Sequence, residues 1–112
     1  MANFVNLTPH TINILNEHDQ EIMAIPANGI VARCSQSEET VMTIDGINVT
    51  RQTFGDVFDL PEPQEGTFFI VSRLVAMAAP DRLDLLIPGP LVRNDQGQPI
   101  GCHGLSVVDW LL

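Results

Sequence analysis

The chain has 112 residues, with 14 acidic side chains against 5 basic ones and a formal net charge of −9. At this length it is expected to form one domain, residues 1–112, which buries about two-thirds of the surface its unfolded form exposes and needs no metal or disulfide staple. The acidity excludes tracking a nucleic-acid backbone or docking to an anionic membrane, since both need several Lys or Arg contacts.

Eight Gly and eight Pro are spread along the chain as turn punctuation, typical of many short strands. Phe4 to Leu7 reads as a strand that Thr8-Pro9 breaks, because Pro lacks a backbone donor. Thr11 to Leu15 and Glu21 to Ile25 alternate apolar with polar around Asn16–Asp19, which predicts a hairpin. Ile30 to Cys34 is expected to be a strand, and Ser35 to Glu39 a polar, exposed stretch. Thr40 to Ile44 and Ile47 to Thr50 flank Asp45-Gly46, the clearest short-range hairpin signal in the chain.

Arg51 to Leu60 is less regular, and Leu60 to Gly66 is a Pro-rich loop. Thr67 to Val71 is a continuous apolar run, hence a strand covered on both faces. Ser72 is placed to cap a short helix from Arg73 to about Ala79, which Pro80 stops. Leu83 to Ile87 reads as a further buried strand, and Leu91–Arg93 and Pro99–His103 as a third hairpin around Asn94–Gly97. The closing segment Val107-Val-Asp-Trp-Leu-Leu112 is apolar and suited to edge pairing with another copy, so a homo-oligomer is expected. The sum is a mainly β protein with one short helix: a small antiparallel β-barrel or a two-sheet sandwich.

MANFVNLTPH has neither the basic nor the long apolar region of a secretion signal, so a cytoplasmic setting is expected. Cys34 and Cys102 are then reduced thiols packed as small hydrophobes. The sequence holds no CxxC, HExxH, GxSxG, Walker A or GxGxxG pattern. Nor does it hold the paired His-x-Thr/Ser tripeptides of two-histidine phosphodiesterases. His10, His18, His103, Cys34 and Cys102 offer no close ligand pair that a strand would aim together, so neither metal nor cofactor is expected.

Two segments could carry chemistry. At the Leu7-Thr8-Pro9-His10 corner, Thr8 and His10 either face a ligand, with His10 as donor or base, or satisfy backbone groups freed by the strand break. In the second, Ser72 ends a strand beside Arg73, with Arg82 and Arg93 following. All five basic residues are Arg and there is no Lys, which suits bidentate recognition of phosphate or carboxylate. The alternative is ordinary ion pairing with the abundant acids. The ligand-binding candidates are therefore Arg73, Arg82, Arg93, Ser72, Thr8 and His10, with no catalytic residue assigned. The acids at Glu17–Glu21, Glu38–Glu39 and Glu62–Glu65 lie scattered in loops, unlike the dense face of a DNA mimic.

Taken together, Asn6-Leu-Thr-Pro-His10, Gly66-Thr-Phe-Phe-Ile-Val-Ser72, Asp84-Leu-Leu with Pro88-Gly89, Val92-Arg93-Asn94 and Ile100-Gly-Cys102 resemble a family of small uncharacterised proteins of phages, prophages and bacteria. The resemblance spans nearly the whole chain and carries over no functional residues. A phage setting implies a counter-defence role. The function expected is a non-enzymatic binding protein that sequesters an anionic, nucleotide-derived immune signal in the host cytoplasm. The rival readings are an acidic inhibitor of a basic protein and a small phosphodiesterase or hydrolase using His10 or His103.

Overall fold

A computed structural model describes residues 2–108. The element order is β1 (Asn3–Asn6), β2 (Ile12–Leu15), β3 (Glu21–Ile25), β4 (Arg33–Ile44), β5 (Ile47–Phe58), β6 (Thr67–Ile70), α1 (Arg73–Ala78), β7 (Leu85–Pro88), β8 (Leu91–Arg93), β9 (Pro99–His103) and β10 (Leu105–Ser106). The chain is mainly β with one short helix. It forms two four-stranded sheets, ordered β1-β6-β7-β10 and β3-β2-β9-β8, and a separate ribbon of β4 and β5.

Period-two alternation in β6 explains how the layers stack. Phe69, with Val71 just beyond the strand, joins Leu85, Ile87 and the helix residues Val75 and Ala76 in one cluster. Ile70 points the other way and meets Ile12, Ile14, Ile25 and Cys102 of the second sheet. The first sheet is thus covered by α1 on one face and by the second sheet on the other. That is why Phe68–Val71 is apolar without interruption.

Both four-stranded sheets are open among the described residues, so no barrel closes. The arrangement is consistent with the two-sheet alternative. Its pairing is mixed rather than antiparallel throughout: β1–β6, β6–β7 and β2–β9 run parallel. Turn chemistry identifies only partners that are neighbours in the chain. These three pairs are joined by long connections, with α1 as the crossover between β6 and β7.

The largest departure from the sequence reading is the β4–β5 ribbon. Each strand runs 12 residues, and nearly every residue is exposed. The polar stretch Ser35–Glu39 and the irregular stretch from Arg51 are both strand, while Ile30 to Ala32 are not. No buried face imposes a hydrophobic period there, and the strands are held by each other. At the tip, Asp45 and Gly46 adopt φ values of 50° and 81°, the left-handed pair that a two-residue hairpin turn requires. The ribbon projects from the body: the radius of gyration is 16.7 Å, against about 13 Å for a compact chain of this length. Residues 109–112, the greater part of the apolar terminus expected to pair between copies, lie outside the described residues.

Candidate functional site: a cavity at the Thr8–His10 corner

β1 belongs to the first sheet and β2 to the second, so the chain changes sheets across Leu7–Thr11. The turn is organised by Asn6, which is only 1% exposed. Its carboxamide donates to the carbonyls of His10 (2.8 Å) and Ile25 (2.9 Å). Its oxygen accepts from the amide (2.9 Å) and the hydroxyl (2.6 Å) of Thr8. The Thr8 hydroxyl also reaches the His10 carbonyl at 3.1 Å. Backbone groups freed by Pro9 are satisfied in this way, as a sheet break requires. Asn6 was not among the residues singled out from the sequence. The available signal was an Asn one position before Leu7, at the last pairing position of β1 and just ahead of the Thr8-Pro9 break.

The second polar edge comes from Ser72. Its hydroxyl caps α1 by accepting from the Val75 amide at 3.3 Å, as the sequence predicts. With six residues in the helix and one amide already taken by the cap, α1 offers little of an anion seat.

Thr8, His10 and Ser72 line one cavity of about 470 Å³. Its other walls include Ile12, Leu91, Ile100 and Cys102, so the space is apolar with a narrow polar side. Gly101 lines it from β9, and a Cβ there would lie 2.7 Å from the Asn13 carbonyl oxygen. Only Gly lets β9 approach β2 this closely. A second depression of about 310 Å³ shares Thr8 and Ser72 and continues between α1 and the root of β4.

The three Arg candidates do not join Thr8, His10 and Ser72 in lining that cavity. Arg82 donates to Asp84 twice, at 2.8 Å each, and to the Pro61 carbonyl at 2.9 Å. Its guanidinium lies over the Phe69 ring, 5.9 Å from the centroid. Hydrogen bonds to Asp84 raise the Arg82 pKa above its ordinary value, and the same bonds lower that of Asp84. Arg93 donates to the Gly97 carbonyl at 2.8 Å, closing the β8–β9 turn. Arg73, next to Ser72, is exposed and makes no ion pair among the described residues.

Of the histidines, His10 is tied down through its carbonyl. His103 Nε2 lies 2.7 Å from Asp19 on the exterior, linking β9 to the β2–β3 turn. Cys34 and Cys102 are both free thiols. Among the described residues no three His, Cys, Asp or Glu side chains cluster in a way that would hold a metal. No helix among them is long and apolar enough to cross a membrane. No protein-family model, curated protein or solved structure matches the chain.

Proposed function

We propose that the protein is a non-enzymatic binder of an anionic, nucleotide-like small molecule, held intact in the Thr8–His10 cavity. One observation carries this reading. Polar side chains from two distant chain breaks, Thr8 and His10 at one and Ser72 at the other, line a single otherwise apolar space. Its volume of about 470 Å³ falls within the range of about 300–1,000 Å³ usual for small-ligand sites, which are mostly apolar with a few placed polar groups. A planar base would lie against the apolar wall of Leu91, Ile100 and Cys102, and hydroxyls and amides would meet the sugar and its substituents. Arg73 is the guanidinium next in sequence to the cavity wall and free of ion pairs among the described residues, so we assign it the anionic group. Arg82 and Arg93 serve structure in this reading.

The resemblance to phage proteins supports a nucleotide-derived immune signal as the ligand, sequestered in the host cytoplasm. The test is to incubate the protein with candidate cyclic and linear nucleotides, remove unbound material, denature by heat and chromatograph the supernatant. Unmodified nucleotide is expected. Arg73→Ala should weaken binding roughly ten- to a hundredfold, the loss of a charge-assisted contact. Leu91→Glu places a negative charge at an exposed rim position and should abolish binding, while Leu91→Gln retains it. Recovery of no nucleotide, or of a cleaved product that disappears in His10→Ala, overturns the proposal.

A further inference from the structure

Asn28-Gly29 lies in the link from β3 to β4, where the chain enters the projecting β4–β5 arm. Asn28 is the one Asn in the chain that Gly follows. Both residues are exposed, and a Cβ built on Gly29 would meet no atom within 4 Å. Gly29 adopts φ +103°, a conformation that suits Gly and strains other residues. Its amide nitrogen therefore stands beside the Asn28 carboxamide with no side chain to shield it.

Hydrogen bonding sets this Asn apart from the rest. Asn6 is tied into the corner, and Asn13 donates to Glu21 at 2.6 Å. Asn16 and Asn94 each accept two backbone amides within their own turns. Asn3 and Asn48 sit in strands and are followed by Phe4 and Val49, whose side chains crowd the next nitrogen. Among the described residues, neither the Asn28 carboxamide nor the Gly29 amide has a hydrogen-bond partner to give up before reacting.

We infer that Asn28 is a self-modification site, at which the Gly29 amide converts the carboxamide to a carboxylate. The Gly29 nitrogen loses its proton to solvent and attacks Cγ of Asn28. A C–N bond forms, the Cγ–Nδ2 bond breaks, and Nδ2 leaves as ammonia with a proton from solvent. The product is a cyclic imide. Water then adds to one of its two carbonyl carbons. Opening at Cγ restores the ordinary chain as an aspartyl linkage. Opening at the backbone carbonyl routes the chain through the side chain as an isoaspartyl linkage. Water is consumed, ammonia is released, and the chain gains a negative charge.

The site falls between two anchors. The Asn28 amide donates to the Asn6 carbonyl at 2.9 Å, and the Ala32 amide to the Leu7 carbonyl at 3.0 Å. The isoaspartyl route lengthens the backbone between them, in the link whose far end, Val31 to Cys34, walls the smaller depression. The modification is thus an irreversible change of charge and chain length at the root of the arm. It does not depend on the cavity or its ligand.

Prolonged warm incubation of the native protein at mildly alkaline pH tests this, beside an unstructured peptide of residues 25–31. Ion exchange should resolve an accumulating acidic species. Peptide mapping should place the change at Asn28, as a pair of aspartyl and isoaspartyl peptides heavier by the difference between water and ammonia. The rate should lie within about tenfold of the peptide's, since no local opening precedes the attack. Asn28→Gln should remove the species, because its longer side chain must close a larger ring. Asp45-Gly46 closes the same ring but loses and regains water, so it alters neither mass nor charge. A native protein that stays unchanged while the peptide converts overturns the inference. So does conversion of another Asn before Asn28, or an acidic species that persists in Asn28→Gln.

Discussion

Asn6 and Thr8 lock one another across the sheet break: a single carboxamide oxygen accepts both the amide and the hydroxyl of Thr8. The nitrogen of the same carboxamide spans two carbonyls from different segments, His10 and Ile25. One buried side chain thereby joins the end of β1, the corner and the end of β3.

Replacing Asn6 by Ala should remove all four bonds and take from the Ile25 carbonyl the buried side-chain donor it has, while the His10 carbonyl keeps the Thr8 hydroxyl. The expected loss is about 2–4 kcal/mol of unfolding free energy. Thr8→Ala removes only the hydroxyl and should cost less, about 1 kcal/mol. Urea unfolding followed by circular dichroism ranks the two. Equal losses would mean that Asn6 contributes no more than the Thr8 hydroxyl bond.

The Arg82–Asp84 pair makes stability depend on acid. The hydrogen bonds from Arg82 hold the Asp84 pKa below its ordinary value of 3.8. The folded state therefore binds that proton more weakly than the unfolded state. The stabilisation is complete above about pH 4 and is lost as pH falls through the lowered value. Asp84→Asn should be less stable than wild type at pH 7 by about 1–3 kcal/mol, because Arg82 loses a partner in a mostly buried setting. It should also lose less stability between pH 5 and pH 2 than wild type. Parallel acid limbs in the two proteins would count against the pair.

Gly89 lies where the chain passes directly over the backbone of His103 and Gly104. A Cβ there would press on the His103 carbonyl oxygen and lie 2.8 Å from that of Gly104. Gly89→Ala should destabilise by about 1–3 kcal/mol, the usual cost of overpacking against atoms that cannot yield. Gly97→Ala meets no atoms but sits at φ +77°, so strain alone should make it milder, at about 1 kcal/mol. Thermal unfolding of both variants gives the order, and a Gly89→Ala protein as stable as wild type would sink it.

The two thiols should differ in access. Cys102 is 3% exposed and packs in the core with Ile12 and Ile14, while Cys34 is half-buried near the arm root. A thiol reagent added to native protein should modify Cys34 first and Cys102 only after denaturant is added. Simultaneous modification of both would show that the reagent reaches Cys102 in the folded protein, through the cavity it lines or by opening of β9.

Local chemistry made much of this protein legible without a structure. The Asp45-Gly46 turn, the Ser72 cap, the strand before it and the β2–β3 and β8–β9 hairpins each depend on residues within a few positions of one another. For the same reason the corner at Thr8-Pro9-His10 stood out: Pro cannot continue a ladder. What tertiary structure decided was everything between distant segments. The parallel pairings have no turn to announce them. The arm carries no buried period, so Ser35–Glu39 looked like a loop although its strand is paired along its length. The fate of each Arg depended on partners elsewhere in the chain. Arg82 found Asp84 and the Pro61 carbonyl, Arg93 found Gly97, and Arg73 stayed free of ion pairs among the described residues. The role of Asn6 was equally hidden, because a buried carboxamide is tolerated only when remote carbonyls arrive to accept its protons, and chain proximity supplied just one of the two.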